Sequence, residues 1–478
     1  MITNSYKTKT LVLLIIVSLL FSILIPFSSS IAWFLPVVFF ILLIGIIFFF
    51  LLLKDISYGI LLITFLLPFE QIGGFDIFGM NIRLSQIVFL ISFIAWILSG
   101  LARRDLKIKI DLKLALLVMY VIVAIASIAN TLNLFRSIQI FSFTLFVFML
   151  YVFISSYKFN RDLLEKIVTV LFISMTVTCL FGLFQFVGDM IGLPQSITGL
   201  DDNYVKAVFG FPRIQSTANE PLNYANYLLL PIGIAFAFFA DNKLKFENKK
   251  IDLKKASLPL LILAGIVLIL TYSRGGWGAA VLVMFIVVIR YLKELVNLKN
   301  LVLGFLVIIL SFVSIILISE LSNAPFNLGS VISRINISDA SSEHRVQTIQ
   351  DGLSAWEKNP LIGIGIGSYG PLVAKYRNIR PEGGWQTVNN EYIEILIETG
   401  LLGLTIISSF WLSFFLDLHS RLRLKVPFDR ALYLGVFAAF AGMLLQYISF
   451  STLYIFHLWY LIGILNNDYF RKNKLTKI

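Results

Sequence analysis

Two arginines stand where an apolar sequence should hold none. Arg274 lies in the turn Tyr272-Ser273-Arg274-Gly275-Gly276-Trp277-Gly278, and between Leu258 and Ile289 no other residue carries a charge. Arg213 precedes a second apolar run, within Phe211-Pro212-Arg213-Ile214-Gln215-Ser216-Thr217-Ala218-Asn219-Glu220-Pro221. Cations in or beside membrane segments are costly and tend to have a task. A guanidinium stays charged near lipid and donates paired hydrogen bonds, which suits it to phosphate. Arg345, further along, is a third candidate of the same type. The plainer reading of each is a snorkelling side chain or an ion pair, with Glu220 or Glu343 as partner.

A second constellation is Thr387-Val388-Asn389-Asn390-Glu391-Tyr392-Ile393-Glu394-Ile395-Leu396-Ile397-Glu398-Thr399-Gly400. Asn389 or Asn390 can cap a helix there, and a capped helix N-terminus attracts anions. Glu391, Glu394 and Glu398 fall on one face, which in an apolar helix must look toward protein or water. A structural carboxylate stripe would have the same spacing. The glycine-rich run Leu361-Ile362-Gly363-Ile364-Gly365-Ile366-Gly367-Ser368-Tyr369-Gly370 is no nucleotide loop, because no Gly-Lys-Ser/Thr follows and no βαβ pattern surrounds it. His344, His419 and His457 form no metal-ligand pattern, and Cys179 is alone in an apolar segment, so neither a metal site nor an internal disulfide is expected.

The elements that must carry these residues follow from composition. Of 478 residues, 58% are hydrophobic and 14% charged, with a mean hydropathy of +0.88, which excludes a water-soluble globular domain. The apolar segments lack the two-residue alternation of barrel strands. The fold class is therefore an all-α polytopic membrane protein, with about 12 to 14 transmembrane helices. Candidate spans include Leu11 to Ile25, Ala32 to Leu53, the short Tyr58 to Pro68, Leu301 to Ile318 and Leu453 to Leu465. Leu11 to Ile25, preceded by Lys7 and Lys9, lacks a small-residue cleavage site and is read as a retained first helix.

Net charge is +12, but the cations are spread over short loops and call for no nucleic acid. They fall on alternate sides: Lys54, Arg103 to Lys113, Lys158 to Lys166, Lys243 to Lys255 and Arg421 to Arg430 on one, chiefly Arg83, Arg136 and Arg274 on the other. The first side is then cytoplasmic, with both termini, and the Arg274 turn is extracytoplasmic. Four regions result: N-terminal helices at 1–187, a core at 188–319 holding Arg213 and the Arg274 turn, a large outer loop at 320–392, and C-terminal helices with a cytoplasmic tail at 393–478. In the outer loop Val346, Ile349, Leu353 and Trp356 recur at helical spacing, which predicts an amphipathic helix lying on or near the membrane surface, ended by Pro360.

In their order these pieces resemble the O-antigen ligase and polymerase family of bacterial envelope glycan enzymes, which includes teichuronic acid and exopolysaccharide polymerases. The resemblance runs from Arg213 to about Leu404. It rests on Arg213, the Ser273-Arg274-Gly275-Gly276 turn, Arg345, the Asn359-to-Tyr369 glycine run, and Asn390-Glu391-Tyr392 leading to Glu398-Thr399-Gly400-Leu401-Leu402-Gly403-Leu404. It implies glycosyl transfer at the outer face of the bacterial cytoplasmic membrane, without cofactor, metal or nucleotide sugar. The donor would be an undecaprenyl-pyrophosphate-linked glycan, the acceptor a second glycan, and a flippase and a chain-length regulator the natural protein partners.

By this resemblance Arg213 and Arg274, with Arg345, bind pyrophosphate, and Asn389, Glu391 and Arg274 form the catalytic set, supported by Asn390, Glu394 and Glu398. One departure matters: the family usually has His-Asn where this chain has Asn389-Asn390. Asparagine cannot take a proton. Glu391 or Glu394 could then be the base, the pyrophosphate could accept the proton itself, or transferase activity could be lost. Polymerase and ligase readings both remain open. A transporter or flippase would be expected to show two related halves, and the sequence has no visible duplication.

Overall fold

The structure is a computed structural model that describes residues 34–70, 75–77, 80–205, 210–246, 252–295, 340–377 and 386–472. It consists of helices plus one antiparallel hairpin, β1 (Phe75–Ile77) and β2 (Met80–Ile82), with Asp76 opposite Asn81. The helices before residue 200 are α1 (Phe34–Lys54), α2 (Ser57–Leu66), α3 (Leu84–Arg103), α4 (Leu112–Ser127), α5 (Leu134–Ser156) and α6 (Arg161–Met190). Then come α7 (Pro221–Ala240), α8 (Leu253–Leu270), α9 (Arg274–Leu295), α10 (Ala340–Trp356), α11 (Tyr369–Arg377), α12 (Glu391–Arg421), α13 (Pro427–Gln446) and α14 (Phe456–Leu465).

Among the described residues nine helices are long and apolar enough to cross a membrane, as expected of an all-α polytopic membrane protein. The expected spans Leu11 to Ile25 and Leu301 to Ile318 lie outside the described residues. The short segment from Tyr58 becomes α2, of 10 residues. Leu453 to Leu465 yields only the 10 residues of α14, every one of them buried, so it is covered by protein along its whole length.

Two helices form the centre. In α7 and α13, 78% and 89% of the spanning window is buried, against 28% to 56% in the other spans. They meet at Gly233 and Gly435, where a Cβ on either glycine would stand 2.4 or 2.6 Å from the opposite carbonyl oxygen. Small residues let backbones approach where lipid offers no hydrophobic drive for association. The outer helices turn apolar side chains such as Ile122, Ile173, Val281 and Leu412 outward, as lipid contact requires.

The expected amphipathic helix is present as α10. α10 ends at Trp356, before Pro360, and its apolar side is seated on protein. Ile349 and Trp356 pack on a small core made of Ile364, Tyr369, Leu372, Val373, Val388 and Ile397. The Tyr369 hydroxyl donates to Thr348 O at 2.9 Å, and a Cβ on Gly352 would collide with Ile397. Helical periodicity reveals that one face is apolar and leaves open what covers it.

Candidate active site

The segment before α7 and the turn between α8 and α9 are hydrogen-bonded into one unit. Ile214 N–H donates to Leu270 O at 3.1 Å and Arg213 Nε to Thr271 O at 3.3 Å. The strand of chain carrying one arginine is thus tied to the turn carrying the other. α8 closes with the Thr271 hydroxyl donating back to Leu268 O, and Tyr272 takes a left-handed φ of +50°. Ser273 then caps α9, its Oγ accepting from Gly276 N–H at 3.3 Å. The tip of the hairpin is therefore Thr271 to Ser273, and Gly275 and Gly276 lie in the first turn of α9. They permit close approach: a Cβ on Gly276 would stand 2.7 Å from Ala225 Cβ, and one on Gly275 2.4 Å from Ser449 Oγ. Arg274 is the exposed first residue of α9, so its guanidinium and the positive end of the helix dipole act at the same place.

Arg213 is held from the other side as well. Its N–H donates to Tyr204 O at 2.9 Å, and its guanidinium lies 5.7 Å from the Tyr204 ring. Burial, with the charge of Glu220 adding and that of Arg213 opposing, pushes the Tyr204 hydroxyl up to about 12, so it remains a neutral donor. The following residues, Gln215 to Ala218, run as buried non-helical backbone, which must find internal partners. Gln185 accepts from Ser216 N–H at 2.8 Å and donates to Ser216 O at 3.2 Å. Glu70 accepts from Asn219 N–H and Asn223 Nδ2 and pairs with Arg83 at 3.1 Å.

The second constellation is a carboxylate cavity. Asn390 is the cap of α12, its Oδ1 accepting from Ile393 N–H at 3.2 Å, while Asn389 sits before it at φ +56°. Glu391, Glu394 and Glu398 line one cavity together with Arg136, Tyr120 and Thr452. Its volume of ≈ 40 Å³ admits water and no sugar ring. Glu398 accepts from Gly367 N–H at 2.7 Å and Tyr369 N–H at 3.1 Å. Glu394 accepts from Val388 N–H at 2.9 Å, and Ser451 and Thr452 line the same cavity. The Arg136 guanidinium bonds Gln139 at 2.8 Å and attracts both Glu394 and Glu398.

The glycine run explains why Glu398 is placed so. α12 breaks at Gly400 (φ +70°, ψ −171°), which frees backbone groups on both sides of the break. The carbonyls of Ile397 and Glu398 accept from Ile364 and Gly365 N–H, and Leu401 and Leu402 N–H donate to Pro360 and Leu361 O. The run is thus a backbone plug seated in a broken helix. At Gly363, Gly365 and Gly367 φ is positive, and a Cβ on them would meet Glu398 O at 2.5 Å, Thr131 Cα at 2.9 Å and Ile140 Cγ1 at 2.9 Å. Glu398 satisfies the N–H groups at the plug's far end.

The two assemblies meet through the segment between α13 and α14. Ser449 touches the Gly275 position, Phe450 O accepts from Glu391 N–H at 3.1 Å, and Ser451 and Thr452 line the carboxylate cavity. Behind it runs a buried chain in which His457 Nε2 lies 2.7 Å from Asn226 Oδ1 and Asn226 Nδ2 donates to Gln446 at 2.9 Å. Of the residues singled out from sequence, Arg213 and Arg274 are brought together, and so are Glu391, Glu394 and Glu398. Asn389 is not among the residues lining the carboxylate cavity. Arg345 lies in the first turns of α10, and its side chain falls outside the described residues. Sequence reasoning missed Arg136, Ser451 and Thr452; the only available signal was that Arg136 is one of the few cations on its side.

A search of curated proteins finds no match to the chain. Residues 259–408, which run from α8 into α12 and include Arg274, Arg345, Asn389 and the three carboxylates, match the family model described as O-antigen ligase. The match covers that stretch of this multi-pass membrane protein, in agreement with the resemblance of its motifs.

Proposed function

We propose that the protein is a glycosyltransferase that polymerises undecaprenyl-pyrophosphate-linked oligosaccharide repeats into a surface polysaccharide at the outer face of the cytoplasmic membrane. The observation that carries this reading is the hydrogen-bonded union of the Arg213 segment with the Arg274 turn, because it gathers fixed cations at the point where a pyrophosphate leaving group gains charge. The alternation of lysine and arginine assigns that end of the bundle to the outside and both termini to the cytoplasm. An acceptor hydroxyl attacks the anomeric carbon in line, and the bond from that carbon to the phosphate oxygen breaks. The electron pair leaves with the pyrophosphate, held by Arg213 and Arg274. The hydroxyl proton passes to Glu391, while Asn389 orients the hydroxyl. Glu398 and Asn390 serve the scaffold, and Arg345 is a further candidate for pyrophosphate contact.

A ligase would use the same groups with an envelope acceptor. The test is the purified full chain given one undecaprenyl-pyrophosphate oligosaccharide. A ladder of extended products is expected. A single transfer, seen only with an added acceptor, would make the protein a ligase, and lipid translocation without any transfer would make it a flippase.

A further inference from the structure

The end of the bundle opposite the arginine turn holds a much larger cavity, of ≈ 860 Å³, within the range of small-molecule sites. It is enclosed by the ends of α1, α3 and α5 and the turn after α14. Six cations line it, Lys54, Arg103, Lys107, Lys109, Lys158 and Arg471, against the three carboxylates Asp55, Asp105 and Asp468, an excess of three positive charges.

The walls are fixed by polar side chains that are themselves buried. Asn467 Nδ2 donates to Ile154 O, Ser155 O and Tyr157 O at 2.8 to 3.2 Å, gathering carbonyls that the end of α5 leaves unpaired. Asn466 donates to Asp111 at 2.9 Å and to the Tyr151 hydroxyl at 2.7 Å. Lys109 is spent in this wall: its Nζ bonds Asp468 at 2.9 Å and the Asn466 carbonyl, and its N–H donates to Ser156 Oγ. Arg103 donates to Leu53 O. Lys107, Lys158 and Arg471 are exposed, and none of them forms an ion pair among the described residues.

A cation cluster made only to set topology needs neither a cavity nor a built wall. This one also has an apolar rim. Ile108 and Ile110 line the cavity, alternate with the lysines, and are 49% and 87% exposed. Isoleucines that exposed among lysines fit an amphiphile better than a small water-soluble anion.

We propose that this cavity binds the phosphate headgroup of an anionic phospholipid. Lys107, Lys158 and Arg471 meet the phosphate, and Ile108 and Ile110 lie along the acyl chains. Basic pockets between helix ends on the positively charged side of a membrane protein are suited to this ligand. A free phosphate would share the cations but make no use of the rim.

The test is native mass spectrometry of the full chain in detergent, with phosphatidylglycerol, phosphatidylcholine or inorganic phosphate added. Phosphatidylglycerol should be retained over phosphatidylcholine by at least about tenfold, as expected for three cations at an anionic headgroup. The variant Lys107→Gln/Lys158→Gln/Arg471→Gln should bring the two lipids close to parity, whereas Lys425→Gln, at an exposed cation outside the cavity, should leave the preference intact. Ile108→Ser/Ile110→Ser keeps every charge and should weaken lipid retention, which supplies a second readout if the triple variant does not fold. Unchanged preference in both variants, or equal retention of the two lipids by the native chain, overturns the proposal. Displacement of phosphatidylglycerol by millimolar inorganic phosphate, with no effect of the isoleucine substitutions, would assign the cavity to free phosphate and overturn the lipid reading.

Discussion

The arginine turn and the carboxylate cavity lie at the same end of the bundle, joined by one short segment, and are built on opposite plans. At the turn, charge faces outward: Arg274 is exposed at a helix N-terminus, and backbone bonds from Leu270 and Thr271 hold Arg213 beside it. In the cavity the charged groups face inward, and Glu394 and Glu398 already accept hydrogen bonds from backbone N–H groups. The proposal assigns an anion to the first arrangement. The second binds Glu394 and Glu398 to its own backbone, in a volume too small for a sugar, and Glu391 is the one carboxylate that the proposal gives a chemical role. Exposed and internally bonded charge can thus be told apart by where the hydrogen bonds go, although both look equally anomalous as charged residues in an apolar sequence.

The sharpest break of this contrast is at the arginines. Arg274→Ala should lower glycan extension by about 10²- to 10³-fold, the usual loss when one group stabilising transition-state charge is removed. Arg213→Ala should do the same, and both variants should insert into the membrane normally, which a reconstituted extension assay alongside a folding check would show. Normal product from either variant would remove the pyrophosphate assignment.

A smaller effect separates the carboxylates from one another. Glu398 has both oxygens engaged by N–H groups of the glycine plug, so Glu398→Ala should strand two buried donors at about 1–3 kcal/mol each and show chiefly as a lower Tm. Glu391→Gln keeps the shape and removes the proton acceptor. It should cost about 10²-fold in rate with little change in Tm. If Glu394→Gln is the variant that loses rate, the proton goes there instead, and if neither does, the pyrophosphate accepts it.

How much of this was legible in the sequence depended on the range of each contact. The helical membrane fold followed from apolar runs, and Arg274 was conspicuous because a lone charge in such a run is costly. The support of Arg213 was hidden, since Glu70 reaches Asn219 across 149 residues and Gln185 bonds Ser216 across 31. The glycine run could be recognised as no nucleotide loop, yet its task was invisible. Gly400 sits in Glu-Thr-Gly-Leu-Leu-Gly, which reads as continuous apolar helix until the break and its plug are seen together. Arg136 was marked by its side of the membrane alone, because nothing in its spacing ties α5 to α12.

The finest test of the contrast is Asn389→His. Asn389 stands just before the cap of α12, at a left-handed φ that asparagine tolerates better than most residues and histidine also visits. It is apart from the carboxylate cavity, so a histidine there would add a proton acceptor on the side of the incoming hydroxyl without displacing Glu391. If base assistance limits the reaction, the rate should rise by up to about tenfold, with a new pH dependence near the ordinary pKa of histidine, about 6.5. An unchanged rate, together with an inactive Glu391→Gln, would mean that the inward-facing carboxylates already supply the base. The charge that acts in transfer would then extend from the turn to Glu391, as proposed, with Glu394 and Glu398 left to the scaffold.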